Sequence, residues 1–335
     1  MILVTGGTGY LGKSVIKSLR KKKVDGIRCI VRPGVTRADF EKQLEGIDTA
    51  DIEMVPASFL DQAALADALK GVRRVIHLAA SKTGSASSQV ANTVVGSDRL
   101  FAVCADHGLD RFVLCSSFGV IHAADVARGN IIDESVPMEK HPEKRDPYSF
   151  TKSYQEEIAW EYYKNSKLPL TVIRPGVIFG PPAEILSGRI GLPLFGVFLH
   201  LGGPNEIPLT YKDNCADAIV QAALTDGVAG EAFCIADDDL PTSAELLKRY
   251  KKEVKKIRSV RIPYHLLLFL SYLNQYYTRV TNGHLPDVFT PYKVKSMWQG
   301  HRFSNQKARQ MLDWSPEIGM EEALKKTYDY LRTAG

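Results

Sequence analysis

The chain has 335 residues, of which 44% are hydrophobic, and a formal net charge of +5. This length supports one large or two smaller domains with a sizeable core. The mild positive charge is spread over the whole chain, so we expect no nucleic-acid partner. The five cysteines lack metal-ligand spacing, which predicts buried reduced thiols and no metal site. Because the first apolar run begins at Ile2, we expect no targeting peptide and a cytoplasmic location.

A glycine-rich loop, TGGTGYLG, follows the first apolar run and leads into a stretch with helical spacing. Glycines at a strand-to-helix turn let a phosphate approach main-chain N–H groups at the positive end of the helix. The spacing is GxxGxxG, so the motif alone predicts only a nucleotide site, with a plain glycine turn as the alternative. We predict cofactor contacts from this loop at Thr5, Gly6, Gly7, Thr8, Gly9, Tyr10, Leu11 and Gly12.

Apolar strand-like runs alternate with helical stretches over the first half of the chain. The runs lie at 2–5, 27–32, 52–57, 74–80, 111–117 and 171–176. This order predicts the α/β class, with a doubly wound parallel sheet of the Rossmann type. Beyond Pro181 the rhythm breaks, which predicts a smaller, mainly helical substrate domain. We place the dinucleotide-binding domain at 1–178 and the substrate region at 179–335, with about 209–237 returning to the sheet.

The second strand bears on the choice of cofactor. An acidic residue about 20 positions after the glycines would bind the ribose 2′-hydroxyl of NAD, whereas an Arg there suits the 2′-phosphate of NADP. The chain has Arg28 within this strand and Arg32 at its end, with no acid at the corresponding place. We therefore predict NADP as the preferred cofactor and NAD as the alternative, in which Arg32 merely faces solvent.

Tyr148 and Lys152 stand four residues apart in the stretch YSFTK, at the expected start of a helix. This spacing puts both on one helix face, so the ammonium and a cationic nicotinamide ring can lower the pKa of the phenol towards working pH. A phenol with a lowered pKa is a usable general acid or base. Ser116 and Ser117 end a strand at the same sheet edge and can hydrogen-bond a substrate oxygen.

Together these stretches resemble the extended short-chain dehydrogenase/reductase superfamily over almost the whole chain. The matching motifs are TGGTGYLG, HLAA at 77–80, Asn92 in ANTVVG, CSSFGV, YSFTK and RPGVIFGP. The resemblance implies that Ser117 polarises the substrate oxygen, Tyr148 transfers the proton, and Lys152 holds the cofactor ribose and lowers the pKa of Tyr148. Hydride would then move between nicotinamide C4 and a carbinol carbon. The further implied cofactor contacts are Ser58, Phe59, Leu78, Ala79, Ala80, Asn92, Tyr148, Lys152, Pro175, Gly176 and Val177.

Three positions depart from the superfamily pattern. Ser58 stands where an Asp usually contacts adenine. In nucleotide-sugar epimerases and dehydratases an Asn usually follows the RP strand and an Arg precedes the motif that here reads YKDNCADA. This chain has Gly176 and Leu209 at those places, so the grip on a nucleotide diphosphate is weakened. The cations that could replace it are Arg189, Lys212 and Arg302.

The C-terminal stretches from KDNCADAIVQA onwards resemble the sterol and 3β-hydroxysteroid dehydrogenase branch. The resemblance implies an oxidoreductase acting on a secondary alcohol or ketone of a hydrophobic or polycyclic, steroid-like substrate. We expect apolar walls from Phe179, Phe195, Phe198 and the helix at 262–273. A nucleotide-sugar epimerase or dehydratase is the alternative, and a non-catalytic NADP(H)-binding sensor is a third hypothesis.

The stretch IPYHLLLFLSYL at 262–273 follows a dense basic segment, LLKRYKKEVKKIRSVR. A helix that spans a bilayer needs about 20 apolar residues, so this one does not span. We favour a helix packed over the substrate pocket beside a solvated basic face. The alternative is peripheral contact with the inner membrane surface through 248–273. A homodimer is compatible with the sequence.

Overall fold

The computed structural model describes residues 1–281 and 289–334. The strands in chain order are β1 (Ile2–Thr5), β2 (Ile27–Val31), β3 (Glu53–Pro56), β4 (Arg74–His77), β5 (Arg111–Cys115), β6 (Ile131–Ile132), β7 (Leu170–Pro175), β8 (Val177–Phe179), β9 (Gly191–Leu194), β10 (Val197–His200), β11 (Leu209–Tyr211), β12 (Glu231–Ile235), β13 (Ser259–Arg261) and β14 (Arg302–Phe303). The α-helices are α1 (Tyr10–Lys21), α2 (Arg37–Gln43), α3 (Gln62–Leu69), α4 (Ala86–Gln89), α5 (Gly96–Ala105), α6 (Pro147–Ser166), α7 (Lys212–Leu224), α8 (Ser243–Glu253), α9 (Tyr264–Val280), α10 (Pro291–Trp298), α11 (Gln306–Leu312) and α12 (Met320–Ala334).

Seven strands form one sheet in the order β12-β7-β5-β4-β1-β2-β3. Every neighbouring pair in it is parallel. All residues of β1 and β5 are buried, as a sheet covered by helices on both faces requires. The carboxyl ends of β1, β4, β5 and β7 therefore meet at one edge, which is where such sheets bind ligands. The predicted doubly wound Rossmann fold is confirmed.

Two apolar cores cover the two faces of this sheet. One core contains the buried side of α1, with Val15, Ile16 and Leu19, and that of α7. The other contains buried residues of α3 and α5, such as Leu65 and Leu100. The edge strand β12 pairs with β7 only after the chain has left this sheet and returned to it. The domain limits at 1–178 and 179–335 stay a prediction.

A second, smaller sheet lies in the C-terminal half, with the order β13-β10-β9. Phe179 and Phe198 lie in the core that this sheet shares with α8 and α12. Sequence analysis predicted a mainly helical region and missed this sheet. Its strands have only three or four residues each, which is too short for a clear alternation of apolar and polar residues. The five cysteines are all free and buried, as predicted.

The helix α9 shows an unexpected exposure. Only Leu267 and Ser271 of its 17 residues are buried. Its exposed large apolar residues are Leu266, Phe269, Leu270, Tyr272, Leu273, Tyr276, Tyr277 and Val280. Phe195, at the turn between β9 and β10, is 97% exposed. The expectation of a pocket wall at Phe195 is therefore wrong. The apolar stretch packs Leu267 into one cluster with Val294 and Trp298 and turns its other side outwards, so its role as a pocket wall stays a prediction. Within residues 1–281 and 289–334, no helix combines the length and apolar character needed to cross a bilayer.

Candidate active site

The glycine-rich loop lies against the end of β4. Gly6 has a φ of +71°, and a Cβ at this position would stand 3.0 Å from the main-chain nitrogen of Ala79. A Cβ at Gly12 would stand 2.1 Å from the carbonyl oxygen of Gly6, so the first turn of α1 can close on the loop only with glycine there. The result is a main-chain cradle at a helix N-terminus, which fits the phosphates of a dinucleotide.

The other predicted residues of this loop differ in where their side chains go. Thr5 is buried, and its hydroxyl lies 2.6 Å from Nδ1 of His77. Tyr10 donates a 2.9 Å hydrogen bond from its hydroxyl to the carbonyl of Gly180. Gly7 is buried and Leu11 packs against the core, whereas Thr8 and Gly9 have accessible surface. Apart from Thr8, the loop therefore offers mainly its main chain to a cofactor.

Lys152 belongs to a buried polar network at the sheet edge. Its ammonium donates to the carbonyl oxygen of Cys115 at 2.6 Å and to Oε1 of Gln155 at 2.7 Å. Gln155 in turn donates to Ser97 at 2.6 Å and lies 3.2 Å from Nε2 of His77. Burial lowers the pKa of Lys152 to about 8 and that of His77 to about 3. The network thus joins β1, β4, β5, α5 and α6 around a neutral imidazole.

Tyr148 and Ser117 come together, as the sequence predicts for a proton-transferring pair. The nearby Ser117 hydroxyl favours the phenolate, but burial is the larger effect and raises the pKa of Tyr148 overall. The predicted lowering of this pKa by Lys152 is wrong for the protein chain by itself, because the ammonium is held by Cys115 and Gln155. Ser117 also accepts a 3.0 Å hydrogen bond from the main-chain nitrogen of Gly119, which fixes its rotamer.

A cation that sequence analysis did not select stands beside the phenol. Nζ of Lys82 lies 5.5 Å from the ring centroid of Tyr148. Lys82 follows the HLAA motif, whose residues Leu78, Ala79 and Ala80 stay partly exposed at the end of β4. The main-chain nitrogens of Leu78 and Ala79 point to Thr5, at 3.2 Å and 3.4 Å from its oxygens. This segment therefore sits between the glycine-rich loop and the phenol of Tyr148.

Three other predicted cofactor residues are placed less favourably. The ring of Phe59 packs at 5.8 Å on the ring of His77, so it fills the core instead of standing free for a cofactor. Ser58 accepts a 3.2 Å hydrogen bond from the nitrogen of Leu60. The exposed Asn92 donates its amide to Ser88. In the π-helical segment Val90–Val95, it is the buried Thr93 whose hydroxyl accepts a 2.9 Å hydrogen bond from the nitrogen of Ser81.

The turn after β7 holds Pro175, Gly176 and Val177. Gly176 donates from its nitrogen to Ile235 at 2.9 Å, and Val177 donates to the carbonyl oxygen of Pro208 at 2.6 Å. A Cβ at Gly176 would stand 2.1 Å from that same oxygen. No side chain fits at this position while β8 and β11 keep their pairing.

The two arginines of the second strand have different surroundings. Arg28 is fully engaged, since it pairs with Glu53 at 2.6 Å and donates to the carbonyls of Ala68 and Lys70. Arg32 is exposed at the end of β2, and its guanidinium has no ion pair within the described residues. Only Arg32 is therefore free to meet a phosphate near the adenosine ribose.

A buried carboxylate fixes the loop that precedes α6. Glu139 accepts hydrogen bonds from Arg145 at 2.7 Å and from Tyr292, and it lies 2.9 Å from Nδ1 of His122. These hydrogen bonds hold the pKa of Glu139 near 2 despite its burial. Because Tyr292 belongs to α10, the cluster connects the C-terminal half to the segment that positions Tyr148.

A family model matches residues 2–236, and its description is the NAD dependent epimerase/dehydratase family. The chain belongs to this family. Family membership agrees with the phosphate cradle and the Ser117–Tyr148 pair, and it makes the chain an enzyme of a group that comprises oxidoreductases, epimerases and dehydratases. The resemblance inferred from the motifs is confirmed at this level.

Curated relatives of this epimerase/dehydratase chain include dehydrogenases of sterols. A 3beta-hydroxysteroid-dehydrogenase/decarboxylase from Arabidopsis thaliana is 26% identical, covering 98% of this chain and 78% of the relative. A sterol-4-alpha-carboxylate 3-dehydrogenase from Mus musculus is 27% identical, covering 97% and 89%. A 2-alkyl-3-oxoalkanoate reductase from Stenotrophomonas maltophilia is 26% identical and covers 97% of both chains.

Solved structures share the fold at lower identity. The crystal structure of gox2253 has a TM-score of 0.79 and 19% identity, covering 100% of this chain and 98% of its own. UDP-glucuronic acid 4-epimerase from Bacillus cereus, in complex with UDP-glucuronic acid and NAD, has a TM-score of 0.72 and 21% identity, covering 100% and 99%. Both similarities concern the backbone architecture.

Sequence analysis missed the residues that surround Lys152. Gln155 stands three positions after Lys152 on α6 and so shares its helix face, which is a usable signal. His77 lies in the HLAA motif, but its role depends on Ser97, which comes from another helix. No local pattern connects two residues 20 positions apart in different elements.

Proposed function

We propose that the protein interconverts a secondary alcohol and a ketone on a hydrophobic substrate. The closeness of the Ser117 hydroxyl to the phenol of Tyr148, which favours the ionised phenol through its effect on the pKa, carries this proposal, because it presents two hydroxyl groups to one substrate oxygen. A bound nicotinamide ring supplies or accepts the hydride in this chemistry. Tyr148 moves the proton at the substrate oxygen, and Ser117 holds that oxygen in place. Lys152 binds the cofactor ribose from its position on the same helix face.

The lack of room for a side chain at Gly176 supports an apolar substrate over a nucleotide sugar. A nucleotide diphosphate brings charges that must be met by side-chain donors. Gly176 has no room for a side chain beside Pro208, and Leu209 is fully buried without a polar group. Phe118, which follows Ser117 in the chain, is buried, and it stacks at 5.6 Å on the ring of Phe303, which is partly exposed. This pair, and not Phe195, is the apolar wall that we propose for the substrate.

The names of two relatives support a more specific proposal for the substrate class. A sterol 4-carboxylate that reacts at carbon 3 carries its carboxylate on the neighbouring carbon. A 2-alkyl-3-oxoalkanoate likewise has its carboxylate attached to the alkylated carbon beside the ketone. We propose that this enzyme takes a substrate with the same unit: a hydroxyl or ketone, an adjacent carbon with an apolar substituent, and a carboxylate on that carbon.

We further propose that NADP is preferred over NAD. The exposed guanidinium of Arg32 supports this preference, since it stands at the end of β2 without an ion pair in the described part of the chain. A charged hydrogen bond to a 2′-phosphate contributes about 1.5–3 kcal/mol. The family name supports a nicotinamide dinucleotide in general, and Arg32 carries the finer choice.

The proposed reaction is tested with the full-length protein and both oxidised cofactors. The probes are a 2-alkyl-3-hydroxyalkanoic acid, a 3β-hydroxysteroid with a 4-carboxylate, and UDP-glucuronic acid, each followed by the absorbance of the reduced nicotinamide. We expect turnover of at least one apolar hydroxy acid and none of the nucleotide sugar. Calorimetry should show no saturable binding of UDP to the cofactor-loaded protein at millimolar concentration. Micromolar affinity for UDP would favour the epimerase/dehydratase alternative, and cofactor binding without any turnover would favour a sensor.

The exposed face of α9 supports a second proposal, contact with an anionic membrane surface. Eight large apolar residues of this helix are exposed, and Val260 in the preceding strand β13 is 56% exposed as well. The exposed cations Lys255, Lys256, Arg258 and Arg261 precede the helix, and none forms an ion pair within the described residues. An apolar helix beside such a basic cluster matches a bilayer with anionic headgroups, where each cation contributes about 1 kcal/mol.

Sedimentation with vesicles tests this membrane contact. We expect the protein to pellet with vesicles that contain phosphatidylglycerol and to stay in solution with phosphatidylcholine alone. Phe269→Ser should reduce the pelleted fraction, while Tyr330→Ser, which removes an exposed ring from α12, should not. Equal behaviour of both variants would contradict the proposal. A homodimer that Phe269→Ser turns into monomers would assign the face to a second copy of the chain.

A further inference from the structure

Arg189 reaches the aromatic pair beside Ser117. It lies in the turn that the hydrogen bond from the nitrogen of Ile190 to Ser187 closes at 2.9 Å, just before β9. Its guanidinium carbon stands 6.0 Å from the ring centroid of Phe303. Phe303 stacks on Phe118, and Phe118 follows Ser117 in the chain. The guanidinium thus borders the wall at which we place the substrate.

The charged neighbours of Arg189 are already engaged with other groups. Arg145 is paired with Glu139 at 2.7 Å. Asp146 caps α6, and its carboxylate accepts from the nitrogen of Ser149 at 3.0 Å and from its hydroxyl at 2.7 Å. Within residues 1–281 and 289–334, the Arg189 guanidinium has a ring contact but neither an ion pair nor a hydrogen bond. The carboxylate of Asp146 offsets its charge only in part, without pairing with it.

Two observations indicate that this cation is costly to the free protein. Burial and the nearby Arg145 lower the pKa of Arg189 to about 10, so its charge is in an unfavourable place. Ser187, in the same turn, has a buried hydroxyl without a hydrogen-bond partner in the described part of the chain. Arg189 is partly exposed, and a cation that has lost part of its hydration is destabilising unless an anion meets it. The turn therefore combines an unpaired cation near Phe303 with an unpaired buried hydroxyl.

We propose that Arg189 binds the carboxylate of the substrate. This inference rests on the proposed function, in which the substrate carries a carboxylate close to the reacting carbon. The planar guanidinium matches a carboxylate through two parallel hydrogen bonds. The other two cations considered from the sequence serve less well: Lys212 donates to the carbonyl of Pro181 at 2.7 Å, and Arg302 is exposed. A nucleotide diphosphate is a different anion for the same residue, and the experiment separates the two.

The experiment compares the acid and its methyl ester in the cofactor-loaded full-length protein. The probes are a 2-alkyl-3-hydroxyalkanoic acid, its methyl ester and UDP, and binding is measured by calorimetry beside the steady-state rate. Arg189→Gln should weaken binding of the acid and raise its KM about ten- to hundredfold, because a charge-assisted pair is lost. The KM of the ester and the kcat of both should change less than threefold, on the order of a lost neutral contact. Arg189→Lys should restore part of the affinity for the acid.

The control is Arg302→Gln, which removes an exposed arginine beside Phe303. It should leave all of these values unchanged. Thermal unfolding gives an independent readout, since Arg189→Gln removes an unpaired charge and should leave the melting temperature the same or higher. A lower melting temperature together with equal losses for acid and ester would show a structural role and overturn the proposal.

Failure of the proposed function gives a different pattern from failure of this assignment. If UDP binds the wild type and Arg189→Gln abolishes that binding, Arg189 is an anion site but the carboxylate substrate is wrong. If the acid is turned over and Arg189→Gln binds it as tightly as the wild type does, the proposed function stands and the assignment of Arg189 falls. If neither the acid nor UDP binds in a way that depends on Arg189, the assignment is overturned as well.

Discussion

Lys152 donates a 2.7 Å hydrogen bond to Gln155, which itself lies 3.2 Å from the imidazole of His77. The amide can accept from the ammonium with its oxygen while its nitrogen donates to Ser97 and towards the neutral ring. Gln155 is thus a positioning residue for Lys152. Its hydrogen bond holds the Lys152 side chain in one conformation. Both residues are buried, with exposures of 3% for Lys152 and 1% for Gln155.

Replacing Gln155 by Leu should therefore destabilise the fold and loosen Lys152. Hydrogen bonds to charged groups contribute about 1.5–3 kcal/mol, and we expect a loss of that order in the free energy of unfolding in urea. The KM for the cofactor should rise more than kcat falls, because the ammonium loses its fixed place. Gln306→Leu, at an exposed position of α11, should change the free energy of unfolding by less than about 0.5 kcal/mol. Similar effects of the two variants would refute this role.

Tyr148→Phe should remove turnover and keep cofactor affinity. The phenol contributes a proton, and general acid–base catalysis contributes about 10²–10⁴-fold to the rate. Rates with an accepted substrate and fluorescence titration of the reduced cofactor measure the two effects separately. A variant that kept more than about a tenth of kcat would rule out the assigned proton transfer. Lys152→Met should in contrast weaken the cofactor and lower the rate together.

Arg32→Asp should narrow or reverse the preference for NADPH over NADH. The lost charged hydrogen bonds correspond to about ten- to hundredfold in Kd. Fluorescence titration with both reduced cofactors measures the ratio directly. Lys42→Asp makes the same change of charge at an exposed position of α2 and should leave the ratio near that of the wild type. Equal affinity of the wild type for the two cofactors would remove the argument from Arg32.

The buried His77 predicts a dependence of stability on pH. Its pKa is lowered from 6.5 to about 3, so between these values the unfolded chain binds a proton that the folded chain refuses. The free energy of unfolding therefore falls as the pH drops from 6.5 towards 3, by up to about 1.4 kcal/mol per pH unit from this group. Asp237, whose pKa burial raises to about 6, contributes in the opposite direction between about 6 and 3.8.

Urea unfolding at a series of pH values measures this effect. His77→Asn should be less stable than the wild type near neutral pH, since it breaks the contacts to Thr5 and Ser97. Its stability should also decline less steeply below pH 6.5, because the variant lacks the imidazole that the unfolded chain protonates and the folded chain does not. Parallel curves for the two proteins would mean that His77 does not control the acid limb.

The fold and the helix that carries Tyr148 and Lys152 could be predicted because both depend on local order in the sequence. Buried parallel strands are recognisable as apolar runs, and residues four apart, such as Tyr148 and Lys152, share a face in any helix. The close contact at Gly6 was also foreseeable, since a glycine in a strand-to-helix turn indicates a sharp bend. These features need no knowledge of which distant elements come together.

The remaining features depend on tertiary packing. Arg189 is separated by more than a hundred residues from Phe303, and nothing in either stretch indicates their contact. The apolar pattern of α9 is the same whether this helix is buried or exposed, so the sequence could not reveal that one face of it is exposed. The pKa of Tyr148 was misjudged for a similar reason, because its direction depends on burial and on where the Lys152 ammonium points.

The contact between Gly176 and Pro208 has a consequence for attempts to redesign specificity. Introducing the Asn of a nucleotide-sugar enzyme at Gly176 would press its Cβ into a carbonyl 2.1 Å away. To make room, β8 would have to separate from β11, which leads directly into α7. A single substitution therefore cannot graft the nucleotide grip onto this scaffold, and an engineer would have to rebuild the backbone between 176 and 211 first. In the proposed function, the path of the main chain opposes a nucleotide-binding side chain at this place as much as the side chains do.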